Sequence, residues 1–164
     1  MEYIEIDKKI FLQVFRYEDI EAFTQVCERS QEANYFAIKE IWNPGIEVVL
    51  IYKRFLGILS NNIGFVSMID CGQLSNKEKK ILSLFGVSKK YSEIFINDMR
   101  MSENHRNKGI GTRVVNKILK NDKTYMLEPV EDGKTFWKKF GFEENGKLSI
   151  REKIEYELAE KFFI

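Results

Sequence analysis

The sequence predicts an α/β domain, and three observations carry that expectation. Residues 92–120, SEIFINDMRMSENHRNKGIGTRVVNKILK, read as a strand, a tight glycine turn and a helix. Along the chain, β-branched or alternating stretches typical of strands take turns with stretches whose apolar residues recur every three to four positions. The chain is 164 residues long, 44% apolar and 31% charged. That describes one soluble domain with a real core, too short for two ordinary ones.

Residues 1–7 alternate, Tyr3 and Glu5 against Ile4 and Ile6, and predict a short extra strand. Residues 10–16, IFLQVFR, predict the next. Tyr17, Glu18 and Asp19 open a helix with acids in its first turn, which the dipole favours, and Ile20, Phe23 and Cys27 line one of its faces. A second helix over 32–42 follows from Phe36, Ala37, Ile41 and Trp42, and Asn43-Pro44-Gly45 ends it as a turn. Residues 46–60 read as a long strand bent at Gly57. Asn61-Asn62 is then the expected hairpin turn, and 63–69, IGFVSMI, the return strand.

Ser75-Asn76-Lys77-Glu78 is a capping-box pattern. Ile81, Leu82, Leu84 and Phe85 supply an apolar face behind it, and Gly86 can close that helix. In the 92–120 stretch, Ile94, Phe95, Ile96, Met99 and Met101 are the apolar content of the strand. Gly109 and Gly111 make the turn, and Val114, Val115, Ile118 and Leu119 form the inner face of the helix. Residues 124–128 predict a buried strand ended by Pro129, and 131–140 a helix capped by Gly141. In the tail two patterns compete. Ile150, Ile154, Leu158 and Phe162 fit a helix, whereas Ile154, Tyr156 and Leu158 alternate with Glu155 and Glu157 as a strand would.

The glycine turn suggests the chemistry. A helix that opens behind a glycine-rich loop presents unpaired backbone N–H groups and a positive dipole end, which suit a phosphate or pyrophosphate. Arg106, Lys108, Arg113, Lys117 and Lys120 lie between Asn104 and Lys120 with no acid among them. Glycines and charge alone fit an ordinary strand-turn-helix with a solvated basic face equally well. The dinucleotide pattern GxGxxG fails, because Val114 stands where its third glycine belongs, and no GxxxxGK[ST] is present.

Arg106-Asn107-Lys108-Gly109-Ile110-Gly111 resembles the R/Q-x-x-G-x-G/A motif with which the GCN5-related N-acetyltransferases, the GNAT family, bind acyl-CoA. The segment 136–142, FWKKFGF, resembles the end of that family's fourth helix. VFRYEDIEAF near the N-terminus is similar to its first strand and helix. The resemblance implies a mixed, mostly antiparallel, twisted sheet of 6–7 strands with helices on both faces, splayed between its fourth and fifth strands. It also marks the helix after Ser75 as an insertion between the third and fourth strands. That helix is expected to border the acceptor side of the cleft, since it leads straight into the fourth strand.

In the family plan acyl-CoA lies in the splay like an added strand. Carried over, Met99, Arg100 and Met101 are its backbone partners. Arg106, Asn107, Lys108, Gly109, Ile110 and Gly111 wrap the pyrophosphate, and Thr112 adds a hydroxyl. The glycines have a physical reason: a Cβ there would hold the backbone off the phosphates or be strained at positive φ. The implied reaction moves an acetyl group from acetyl-CoA to a primary amine of an unidentified small molecule, peptide or protein. The N–H of Met101 is the implied donor to the thioester oxyanion. Glu93, on the face given by alternation to Phe95, Asn97, Met99 and Met101, is the candidate base, with Glu128 a second. Phe95 holds the position most often acidic in the family, and Asp98 falls on the other face as a partner for Arg100.

Two departures leave the catalytic half incomplete. The connection PVED lacks the asparagine that usually contacts CoA, and Trp137 stands where the family has the tyrosine thought to protonate the thiolate. Trp137 is then an apolar wall beside the pantetheine, and Tyr125 and Ser102 are substitute acids. A CoA-binding or protein-interaction module with little or no turnover is the competing reading.

Composition narrows the partners. A net charge of +1 argues against a dedicated nucleic-acid binder. No apolar run reaches the ~18–20 residues of a membrane span, and MEYIEIDKK carries acids where a signal peptide would need a basic start and an apolar run. Cys27 and Cys71 lack CxxC spacing and read as buried thiols of a cytoplasmic protein. His105 is the sole histidine, so a multi-histidine metal site is excluded, no metal is expected, and a Ser-His-Asp triad would have one candidate. A homodimer is compatible with everything above.

Overall fold

The computed structural model describes residues 1–30, 33–40, 42–55, 59–84 and 93–154. Among them eight strands form one sheet: β1 (Glu2–Glu5), β2 (Ile10–Phe15), β3 (Ile46–Phe55), β4 (Leu59–Asp70), β5 (Ile94–Met101), β6 (Tyr125–Leu127), β7 (Glu143–Asn145) and β8 (Leu148–Arg151). The spatial order is β1-β2-β3-β4-β5-β6-β8-β7, with β5 and β6 parallel and every other pairing antiparallel. The count exceeds the 6–7 expected because both the N-terminal strand and a hairpin at 143–151 are formed. β5 and β6 take the places of the fourth and fifth strands of the family plan.

Among the described residues five α-helices flank the sheet: α1 (Ile20–Ser30), α2 (Ala33–Glu40), α3 (Asn76–Leu84), α4 (Ile110–Ile118) and α5 (Lys134–Lys138). They lie on both faces. On one, Ile110, Val114 and Val115 of α4 and Trp137 of α5 meet Leu12, Val14, Val49, Ile51 and Val66 of the sheet. On the other, Phe23, Cys27, Tyr35 and Ile38 of α1 and α2 meet Phe15, Val48, Leu50 and Phe65. The alternation of β2 and β3 therefore feeds two cores, as a sheet covered on both sides requires. Both cysteines are buried free thiols, their pKa values raised by desolvation.

Local signals hold where their hydrogen bonds can be checked. Ser75 and Glu78 cap α3 reciprocally, the Ser75 N–H donating to Glu78 Oε2 at 2.8 Å and the Glu78 N–H to Ser75 Oγ at 3.3 Å. Asn43 accepts the Gly45 N–H at 2.8 Å in the turn before β3. Gly141 closes α5 in the left-handed region at φ +82°.

Other expectations are corrected. Asn61 and Asn62 are not a turn: they sit inside β4, paired with Lys53 and Tyr52, and the register shifts at Ile63. The Asn pair is an ambiguous signal here, because Asn62 uses its side chain within the ladder, bonding Ile51 O and Gly64 O and accepting from the Tyr35 hydroxyl at 2.6 Å. The bend at Gly57, the closure at Gly86 and the tail from 155 onward lie outside the described residues. Ile150 belongs to β8, not to a tail helix. None of the described side chains of the inserted helix lines the cleft where β5 and β6 part. Cys71 and Leu74 anchor its approach against Ile69 and Phe95, and the Cys71 N–H bonds Glu93 O at 3.0 Å, at the far end of β5.

Candidate active site

The site is made where β5 and β6 part. Their parallel pairing covers only Ile94, Phe95 and Ile96 against Tyr125, Met126 and Leu127. β6 then stops at Leu127, followed by Glu128 and Pro129, while β5 runs on to Met101. The register of β5 against β4 shifts at the same place: Ile96 faces Met68, Asp98 faces Ser67, and Asn97 is the extra residue. Asn97 Nδ2 reaches Ser67 Oγ at 3.2 Å, so Asn97 and Asp98 both oppose one serine. This bulge bends β5 away from β6 where pairing ends, opening a cleft of about 660 Å³.

The bulge also inverts the alternation of the strand. Strict alternation puts Glu93, Phe95, Asn97, Met99 and Met101 on one face. In the structure Phe95 packs with Ile69 and Met126, whereas Met99 and Met101 join Ile96 in the α4 core. Asp98, placed by alternation out of the way, lines the cleft with Asn97. It does pair with Arg100, at 2.9 Å.

Beyond the bulge the backbone of β5 is bonded on one side only. Antiparallel ladders alternate hydrogen-bonded and non-hydrogen-bonded pairs. Ser102 donates its N–H to Ile63 O at 2.8 Å, so Arg100 opposite Phe65 is a bonded pair, and Met99 and Met101, opposite Val66 and Gly64, are not. The peptide groups of Met99 and Met101 therefore point away from β4, toward the side from which β6 has withdrawn. Arg106 Nε takes the Met101 carbonyl at 3.0 Å. The Met99 N–H and C=O and the Met101 N–H are left facing the cleft. Arg100, expected as a third backbone partner, has its peptide turned to β4.

At the end of the cleft stands the glycine turn. Gly109 is the N-cap of α4 at φ +71°, and Asn107 is also left-handed at φ +58°. Nothing lies within 4 Å of a Cβ built on Gly109, so conformation, not space, demands glycine there. Gly111 is the reverse case. A Cβ on it would sit 3.5 Å from Met99 and 3.6 Å from Phe136, ordinary contacts inside the protein but pointing where a ligand would lie. The first turn of α4 has N–H groups without intrahelical partners, and Arg106, Asn107, Gly109, Gly111 and Thr112 all line the cleft. Lys108 and Ile110 do not line it. The Lys108 ammonium turns to Asn104 O at 2.7 Å, and Ile110 is buried in the core.

Trp137 forms part of the cleft wall and is 8% exposed, with Phe136 and Phe142 edge-on at 5.1 and 5.3 Å. The structure does not bring Glu93 to the cleft. Its carboxylate accepts the Thr124 N–H at 2.7 Å at the paired end of the strands. Tyr125 is likewise committed, its 1% exposed ring placing the hydroxyl to accept from Lys120 N–H at 3.0 Å and to donate to Ile118 O. The carboxylates that do line the cleft are Asp98 and Glu128. His105 lines it too, Nδ1 lying 2.7 Å from Ser102 Oγ. Its pKa is lowered by partial desolvation and then by Lys53 and Lys108. Its place one residue before the motif was a usable signal for a site residue; for Asp98 there was none, since only the bulge brings it in.

The family model of the acetyltransferase (GNAT) family matches residues 17–142. The chain belongs to the GNAT acetyltransferase family. Solved structures share the fold at low identity. An acetyltransferase from Thermus thermophilus matches at TM-score 0.51 and 13% identity, over 87% of this chain and 96% of that one. An acetyl transferase of Salmonella typhimurium that modifies the N-terminal serine of ribosomal protein L7/L12 matches at 0.51 and 10%, over 94% and 100%. NAA60 of Arabidopsis thaliana, in complex with acetyl-CoA, matches at 0.50 and 17%, over 86% and 97%. A search of curated protein sequences returns no match. No helix among the described residues is long and apolar enough to cross a membrane, and they hold no cluster of metal-ligating side chains.

Proposed function

We propose that this GNAT acetyltransferase moves an acetyl group from acetyl-CoA to a primary amine, and that the cleft between β5 and β6 holds the donor. One observation carries this reading. The unpaired peptide edge of Met99 and Met101 leads directly to the left-handed Gly109 turn and the open first turn of α4. A ligand with amides at one end and a pyrophosphate at the other fits that sequence of groups. Acetyl-CoA, also the ligand of the Arabidopsis NAA60 structure, has both.

When bound, acetyl-CoA supplies an activated thioester. The chain must then bind an amine, take its proton and stabilise charge on the carbonyl oxygen. An amine of pKa ~10.4 is nearly all protonated at pH 7, so a proton acceptor is required. Asp98 and Glu128 face the gap from its two sides, and we assign this role to Asp98, which adjoins Met99 and is held as a partner of Arg100. The Met99 or Met101 N–H, already aimed at the cleft, is the oxyanion donor. Glu93 is not used, because its oxygen already satisfies Thr124.

The commitment of Glu93 and Tyr125 to backbone groups, with an indole at position 137, also supports a second reading as a CoA-binding module without turnover. Thiol release from acetyl-CoA across amines, polyamines, aminoglycosides and lysine peptides decides between them. Turnover on any acceptor supports the enzyme; tight binding of CoA with no turnover supports the module; no CoA binding ends both.

A further inference from the structure

The cleft is closed at one end, and among the described residues the two sides of that end differ. Ile96 and Leu127 are the last paired residues of β5 and β6, and both line the cleft. Behind them the strands run about 4.8 Å apart as a bonded ladder, which leaves no passage between them. On the side of α4 and α5 the closed end is apolar. Ile96, Leu127 and Trp137 belong to one core cluster and are 4, 3 and 8% exposed. On the other side it is polar. Asn97 reaches Ser67, Asp98 pairs with the same serine, and Ser67 in turn pairs with Val48 of the α1–α2 core. Paired residues share a face, so Asn97 and Asp98 belong to the α1–α2 side. Glu128, exposed just past the end of β6, lines the cleft as well.

The order of groups in acetyl-CoA decides which part of it reaches this end. From a pyrophosphate at Gly109, the pantetheine amides pass Met101 and then Met99. The thioester comes next, beside Asn97 and the Ile96–Leu127 pair. This placement rests on the reading of the cleft as the donor site. Its acyl chain then has three directions. Straight on, the bonded ladder blocks it. Toward the polar side, hydrocarbon would strip water from Asp98 and Glu128 and stand where the amine must approach. The apolar side remains. Its walls are side chains already packed into the core, where each added methylene forces neighbours out of place.

We propose that Leu127 and Trp137, with Ile96, form an acyl pocket of methyl size that restricts the donor to a two-carbon acyl group. The amine enters from the opposite, polar side. The indole at position 137 is then a wall that selects the donor.

The test measures binding of CoA, acetyl-CoA, propionyl-CoA and butyryl-CoA to the full chain by calorimetry, and needs no acceptor. A methylene that a filled pocket cannot take weakens binding by about tenfold or more, so butyryl-CoA should bind at least roughly tenfold more weakly than acetyl-CoA. Leu127→Ala removes one wall and should bring the two within about threefold of each other. Circular dichroism and Tm establish that it folds; Leu127→Val, which removes a single methylene, is the fallback and should relax the limit for propionyl-CoA first. Met126→Ala is the control for mere loosening. Met126 is fully buried on the same strand, packs with Leu148, Ile150 and Phe95, and does not line the cleft. That variant should keep the wild-type ratio. Equal affinity of the wild type for acetyl- and butyryl-CoA overturns the pocket, and so does a ratio that Leu127→Ala leaves intact or that Met126→Ala also collapses. In each of those outcomes tight CoA binding leaves the donor-cleft reading standing. Failure of CoA and every acyl-CoA to bind overturns that reading, and the pocket with it.

Discussion

Residues Ile94–Ile96 and Asn97–Met101 are consecutive parts of one strand with opposite fates. The first part is hydrogen-bonded on both sides and its Ile96 is buried between β4 and β6. The second is bonded on one side, and the peptide groups of Met99 and Met101 open on a cleft. The backbone chemistry of the two is the same. What differs is whether a neighbour is present, and an unpaired strand edge is a template for whatever can complete it. The paired half should serve stability and the open half function.

The sharpest way to break that division is at the glycine turn. Gly109→Trp and Gly111→Glu are expected to abolish acetyl-CoA binding with the fold retained, as read by calorimetry beside circular dichroism. Gly111→Ala sharpens the point. Its Cβ meets only ordinary contacts inside the protein, so Tm should hold while CoA affinity falls. Unchanged affinity in the first two variants would remove the donor cleft altogether.

In the paired half, Ile96→Ala should cost about 2–5 kcal/mol of stability through loss of packing, measured by urea unfolding. Met99→Ala, at a half-buried position past the bulge, should cost clearly less. Equal costs would mean that the open half is as structural as the paired one. Next come the two cleft carboxylates. Asp98→Asn is expected to lower kcat/KM about 100-fold at unchanged CoA affinity. Glu128→Gln should have a smaller effect, and the reverse order would move the base across the cleft.

Trp137→Phe should keep kcat within about tenfold, because an indole does not ionise and cannot be a general acid. An ordinary thiol has a pKa of ~8.5, so a thiolate leaving unassisted at pH 7 costs only about 2 kcal/mol. The same argument predicts no fall of kcat at high pH. The smallest effect lies outside the strand. Ser75→Ala should cost about 1 kcal/mol at pH 7, by removing the cap of α3. The Ser75 hydroxyl and N–H hold the Glu78 carboxyl below its ordinary value of 4.5. A depressed carboxylate pKa contributes stability above the unfolded value, and that contribution is lost as pH falls through the folded one. The difference between wild type and Ser75→Ala should therefore shrink as pH drops below 4.5.

Features that depend on neighbouring residues alone are legible in the chain. The Ser75–Glu78 box, the Asn43–Gly45 turn, the left-handed Gly109 and the amphipathic face of α4 all depend on residues within a few positions of one another, and each was readable from them. So was the family, from RNKGIG between its strand and helix. Tertiary structure decided the rest. Asn97 is an ordinary strand residue until Ser67, 30 positions away, takes both it and Asp98 as partners; from there every later side chain of β5 changes face. Glu93 is a reasonable base until Thr124 claims its oxygen. Ile96 and Leu127 are ordinary core residues until the last pair of a parallel ladder puts both at the closed end of the cleft. In each case the deciding partner is remote in the chain, and its position is set by the packing of the whole sheet, not by any pattern within the segment itself.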